Sequence, residues 1–205
     1  MKYGIDLKKS INEVQVTRTT KETKISVSIN SIKGKTLDVN TSIPFLNHMI
    51  ETLGWRANLN IGVKILFKVD LEHTITEDIG ISLGCAILEL FKMKMSKGLE
   101  GFGFAKGIID EARAEVILSI EGRVSCFTRG PKFENIDGIS SYCLVAFLKG
   151  FCQGNRCTLH LNYSGEDPHH TWEAIFRALG YAIQNIFQEN EWRKGTISAM
   201  KGTLD

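Results

Sequence analysis

The stretch EHTITEDIGISLGCAILELF, Glu72 to Phe91, has a second copy in the same chain, PHHTWEAIFRALGYAIQNIF, Pro168 to Phe187. Laid over each other at a constant offset of 96 (169 − 73), the two match His73 with His169, Glu77 with Glu173, Leu83-Gly84 with Leu179-Gly180 and Phe91 with Phe187. A repeat of this kind decides the fold, because two copies of one unit share one local structure. Apolar residues recur at helical spacing in both, Ile79, Leu83, Ala86, Ile87 and Leu90 in the first and Ile175, Leu179, Ala182, Ile183 and Ile186 in the second, so each copy reads as an amphipathic helix. A strand-like alternation precedes each helix: Leu59, Ile61, Val63, Ile65, Phe67 and Val69 in one case, Cys157, Leu159, Leu161 and Tyr163 in the other. A further alternation, Ala112, Ala114, Val116, Leu118 and Ile120, opens the second half, and Val14-Val16 with Ile25-Val27-Ile29 either side of TRTTKET predict a hairpin near the start. The expected fold class is α+β. Two duplicated half-domains, 14–97 and 98–205, each a small mixed sheet with helices on one face, pack as a single domain over 1–205.

Composition narrows the function classes. With 25 Lys+Arg against 23 Asp+Glu the net charge is +2, too small to imply nucleic acid or an anionic membrane as partner. The N-terminal MKYGIDLKKSINEV lacks an apolar run of signal-peptide length, and no window approaches the length of a membrane span, so the chain is expected in the cytoplasm. The five cysteines form no C-x-x-C pair and are expected to be reduced, mostly buried residues. GLEGFGFAKG, Gly98 to Gly107, does not match a dinucleotide fingerprint and reads as a turn, while His160 and Trp172 read as structural.

Only five histidines occur, which makes the adjacent His169-His170 conspicuous. On a helix, residues three and four apart share a face, so His73 converges with Glu77, and His169 or His170 with Glu173. One H-x-x-x-E is an ordinary solvated salt bridge. Found twice at equivalent positions of a repeat, it is ligand spacing, and imidazole nitrogen with carboxylate oxygen suits Mn, Fe or Zn. His48, inside the apolar IPFLNHMIETLG, reads from its surroundings alone as a core histidine.

The chain from about Val14 to Leu204 resembles imidazoleglycerol-phosphate dehydratase, a histidine-biosynthesis enzyme, through TRTTKETKISVSIN, TSIPFLNHMIETLG, EHTITEDIGISLG, IIDEARAEVILSIEGR, TLHLNYSGEDPHHTWEAIFRALGYAI and KGTISAMKGTL, in the family's order and spacing. The resemblance implies a ribosomal protein S5 domain 2-like fold, duplicated, and trimers assembled into a 24-subunit homo-oligomer with active sites between subunits. It also implies Mn(II), two ions held by six histidines and two glutamates, and removal of water from D-erythro-imidazoleglycerol phosphate to give imidazole-acetol phosphate. In the family the metals bind the substrate imidazole as imidazolate, which expels the hydroxyl while a glutamate works as acid and base.

Carried over residue by residue, the resemblance makes His48, His73, Glu77, His169, His170 and Glu173 metal ligands. It makes Glu22, Glu77 and Glu173 the catalytic carboxylates, and Arg123, Arg177 and Lys201 the substrate-binding cations. Several family residues are replaced. Two ligand histidines are Thr74 and Ala146, one loss falling on each metal, and a substrate arginine is Gly101. The aspartate before the first ligand histidine is Asn47, a nearby histidine is Arg56, and a serine and threonine of the tail are Ala199 and Met200. These replacements leave one or two ions per chain open. They also leave three readings: the parent dehydratase with a rearranged site, a paralogue acting on another hydroxylated or phosphorylated substrate, and a non-catalytic homologue. Retention of seven site residues, Glu22, His48, His73, Glu77, His169, His170 and Glu173, argues against the third.

Overall fold

The structure is a computed structural model and describes residues 3–34 and 38–204. In chain order it contains β1 (Gly4–Ser10), β2 (Glu13–Thr19), β3 (Thr23–Asn30), β4 (Val39–Asn40), α1 (Pro44–Ala57), β5 (Asn60–Lys68) and α2 (Glu72–Lys94). Then follow β6 (Phe102–Ile109), β7 (Ala112–Ile120), β8 (Ser125–Arg129), α3 (Ser141–Asn155), β9 (Cys157–Ser164) and α4 (Pro168–Ile186). The strand orders are β1-β2-β3-β5-β4 and β6-β7-β9-β8, so the first sheet without β1 has the topology of the second. In both sheets the short strand that leads into a helix, β4 or β8, runs parallel to its neighbour while the other pairs are antiparallel. The fold is therefore α+β with two small mixed sheets, as the repeat predicts.

The helices lie between the sheets. α2 covers β2 and β3, α4 covers β6 and β7, and the pairing between halves is crosswise, α1 on α4 and α3 on α2. Every residue expected on the two repeat helices' inner faces is fully buried, Ile79, Leu83, Ala86, Ile87 and Leu90 as well as Ile175, Leu179, Ala182, Ile183 and Ile186. Each buried Leu or Ile among them contributes roughly 1.5–3 kcal/mol, which fixes the helix orientation and with it the N-terminal turns that carry the histidines. The α2–α3 crossing is close enough to require glycine: a Cβ at Gly80 would fall 2.2 Å from the Phe147 carbonyl oxygen.

Local chemistry sets where the helices begin and end. α4 starts at Pro168, and the Asp167 side chain accepts from the His170 amide. α3 uses Ser140 in the same way, accepting from the Cys143 amide. α1 and α3 both stop at a residue in the left-handed region, Asn58 (φ 55°) and Arg156 (φ 56°). Those two caps give a second internal ruler with an offset of 98 (156 − 58), which sets His48 of α1 over Ala146 of α3 (146 − 48).

Two features depart from the sequence reading. β1 precedes the predicted hairpin and pairs along β2, yet all seven of its residues are exposed, so no core-facing pattern announces it. On β5 the inward alternation ends early: Ile61 and Val63 are buried, but Phe67 is 51% exposed. Opposite the Lys24–Ile25 step, β5 carries an extra residue, Leu66, and this bulge turns the side chains beyond it away from the core. The five cysteines are free thiols, three buried and two half-buried, as expected. Among the described residues no helix is long and apolar enough to cross a membrane.

Candidate metal centre

Where α1 lies along α4, three of the predicted ligands meet. His48 Nε2 is 3.4 Å from Glu173 Oε2, and His169 Nε2 is 3.5 Å from the same oxygen. The ligand atoms of His48, His169 and Glu173 all fall within 4.8 Å of one another. The i,i+4 pair on the helix supplies two of them, and His48 comes from a helix 125 residues away in sequence. The imidazoles of His48 and His169 lie 5.7 Å apart, and Phe45 meets His169 edge-on at 5.2 Å, an apolar wall on one side of the cluster.

The other oxygen of Glu173 is taken. Arg177 donates to Oε1 from Nε at 3.0 Å and from Nη2 at 2.6 Å, and its Nη1 donates to the Ile108 carbonyl at 2.9 Å. Burial pushes the Glu173 carboxyl up, but hydrogen bonds and charge from Arg177, with His48 contributing, outweigh it and hold the group below the usual carboxylate range. Glu173 is thus an anion at neutral pH, aimed by Arg177 at the two histidines. Two imidazole nitrogens and one oriented carboxylate oxygen make a donor set that fits a borderline divalent ion such as Mn(II), Fe(II) or Zn(II).

His170 does not join the cluster, because consecutive helix residues point about 100° apart. Its Nδ1 instead lies 3.1 Å from Glu111 Oε2, with Nε2 3.6 Å from Asp110. Glu111 accepts from the Asp167 and Glu166 amides as well. The Asp167 amide first, and then His170, pull the Glu111 carboxyl down to about 2, and the same contact raises the His170 pKa.

The counterpart position, between α2 and α3, is less complete. His73 stacks on Tyr142 at 4.8 Å, its Nδ1 is buried without a hydrogen-bond partner, and Glu77 is half-buried on the same helix face. Ala146, buried, stands where the repeat sets His48 in the other pair. Only the His48, His169 and Glu173 group meets the geometry of a metal cluster among the described residues.

The remaining predicted residues lie apart from the cluster. Glu22 is exposed in the β2–β3 turn, where its carbonyl accepts from Val69. Arg123 is exposed between β7 and β8, and Lys201 is exposed in the C-terminal turn. Sequence reading missed Asp137, whose Oδ2 is 2.6 Å from His169 Nδ1, and Glu111 behind His170. It also read Arg177 as a phosphate contact without its bond to Glu173. Trp172 is fully buried with its indole N–H donating to Ser141, a packing residue as read, and His160 lies against Phe127 on the outward face of β9.

Comparison with known proteins identifies the family of the chain. The family model described as imidazoleglycerol-phosphate dehydratase matches residues 41–183. The imidazoleglycerol-phosphate dehydratase of Methanocella arvoryzae is 38% identical over 193 residues, 92% of this chain and 97% of the relative. That of Hydrogenovibrio crunogenus is 32% identical over 202 residues, 95% of this chain and the whole of the relative. Crystal structures of the enzymes from Pyrococcus furiosus and Staphylococcus aureus superpose with TM-scores of 0.77 each, at 31% and 27% identity, covering 91% and 87% of this chain and 98% and 99% of theirs. Sequence and structure together place this chain in the imidazoleglycerol-phosphate dehydratase family.

Proposed function

We propose that the protein is a metal-dependent hydro-lyase of histidine biosynthesis, which converts D-erythro-imidazoleglycerol phosphate to imidazole-acetol phosphate and water. The observation that carries this reading is the meeting of His48, His169 and Glu173 from two helices, in a chain related over nearly its whole length to dehydratases of that substrate. The reaction breaks one C–O bond and removes one C–H proton, so hydroxide and proton leave as water and the resulting enol becomes the ketone. A bound divalent ion, Mn(II) by family resemblance, supplies Lewis-acid stabilisation of charge on the imidazole.

The chain's own residues do the rest. His48 and His169 offer ring nitrogens, and Glu173, kept anionic by Arg177, offers an oxygen. Glu77 and Glu22, whose carboxylates carry no such clamp, are the groups able to exchange a proton with substrate. Arg123 and Lys201 are exposed cations suited to a phosphate, and Arg177 keeps N–H donors beyond those engaged with Glu173 and Ile108. His73 and Glu77 form a second partial donor set that a neighbouring copy in a homo-oligomer, a 24-mer by resemblance, would have to complete, and His170, beside Glu111, is a donor such a neighbour could use in turn. The working place is the cytoplasm.

A second reading, dehydration of a different phosphorylated or hydroxylated substrate, is favoured by Gly101. There φ is +68° and an added Cβ would fall 2.6 Å from Ser198 Oγ, so this backbone does not accept the arginine that the resemblance places there. The deciding experiment measures metal content and Mn(II)-dependent dehydration of imidazoleglycerol phosphate by purified protein. Turnover that disappears in His48→Ala supports the first reading. Metal uptake without turnover supports the second, and absence of metal at millimolar Mn(II) refutes both.

A further inference from the structure

The connection from β8 to α3, residues 130–140, is far longer than its counterpart from β4 to α1, residues 41–43. The extra chain makes a tight turn in which Ile136 and Ile139 exchange backbone hydrogen bonds and Asn135 Oδ1 accepts from the Gly138 amide. Ile136 and Ile139 are buried, which anchors the turn, and Asp137 sits at its tip in the left-handed region (φ 49°). Its carboxylate Oδ2 lies 2.6 Å from Nδ1 of His169.

We propose that Asp137 is a positioning residue for His169: by accepting the Nδ1 proton, its carboxylate holds the ring in the tautomer that leaves the Nε2 lone pair facing Glu173 and His48. A neutral imidazole has one protonated and one bare nitrogen, and the partner of the first decides which is the second. A carboxylate behind a ligating histidine fixes ring orientation and increases its basicity. The repeat supplies an internal contrast, since His73, the equivalent of His169, has a buried Nδ1 with no partner, and its half of the chain lacks the long connection. Asn47, which replaces a family aspartate, cannot fill that role for His48, because its Oδ1 is occupied by Thr41.

The inference rests on the metal-site reading, and the test separates the two. Ring nitrogen NMR of the metal-free chain, about two pH units above the ordinary histidine value of about 6.5, reports the tautomer of His169. Asp137→Gly removes the carboxylate while tolerating the left-handed backbone, and Asp137→Asn keeps an acceptor oxygen there. The wild type should show the Nδ1–H tautomer and Asp137→Gly should shift toward Nε2–H. Mn(II) binding, read by loss of the free-ion EPR signal, should then weaken about 10–100-fold, with Asp137→Asn recovering the tautomer and part of the affinity. An Nε2–H tautomer in the wild type, or Mn(II) affinity untouched by Asp137→Gly yet abolished by His48→Ala, overturns the role given to Asp137. A tautomer that responds to Asp137 in a chain taking up no Mn(II) upholds the positioning and refutes the metal site.

Discussion

Glu173 divides its work between its two oxygens. Oε1 is held by two N–H groups of Arg177, while Oε2 faces two imidazoles at 3.4 and 3.5 Å. Removing the guanidinium leaves a nearly buried carboxylate without its main cation, so Arg177→Ala should destabilise the chain by about 1–3 kcal/mol in denaturant titration at neutral pH. Mn(II) would replace the missing positive charge, so the ion should raise the melting temperature more in this variant than in the wild type. An equal or smaller shift would show that Oε2 does not face an ion. The histidines and Glu173 were legible because the repeat displays the same spacing twice, and His48 became so through resemblance. Asp137 and the Arg177–Glu173 bond were not, because a carboxylate in a polar loop carries no periodic signal and an i,i+4 Glu–Arg pair is common on any helix.

Between elements, helix contact is set by glycines whose purpose single-helix periodicity does not reveal. Gly80 and Gly84 of α2 bring Phe147 and Phe151 of α3 to backbone contact, and Gly150 returns the contact against Glu77. Gly80→Ala gains about 1 kcal/mol of helix propensity but forces α3 outward. The net cost should be about 1–3 kcal/mol, a fall of roughly 2–12 °C in melting temperature. A variant melting at or above the wild-type temperature would mean that the helices separate freely. β1 is held differently. Its Lys9 bonds to Glu89 of α2, which also takes Lys92 at 3.1 Å. Burial raises the Glu89 pKa, but the two lysines overcome this and set it below the ordinary 4.5. A depressed carboxylate stabilises above its unfolded value and loses that contribution as pH falls through the folded one. Amide exchange in β1, corrected for intrinsic rates, should therefore accelerate below about pH 4.5, and Glu89→Gln should remove the acid dependence; protection unchanged by acid would sever β1 from this contact.

For the whole molecule, the duplication makes two equivalent clefts, α1 against α4 and α3 against α2, and evolution has treated them unequally. The first joins His48, His169 and Glu173 with Asp137 behind; the second holds His73 and Glu77, with Ala146 opposite and Tyr142 stacked on the imidazole. Two donors from one chain make a weak site for a divalent ion, whereas three with an oriented carboxylate make a serviceable one. The wild type should accordingly retain about one Mn(II) per chain after gel filtration, by elemental analysis, on the three-donor argument. Ala146→His, supplying the donor that the repeat predicts, should raise retention toward two, with His73→Ala in the same background returning it to one. Two ions in the wild type would show that another copy completes the second cleft. One ion in both proteins, with Ala146→His folded normally, would show that Tyr142 and the close α2–α3 packing have closed that cleft to metal altogether.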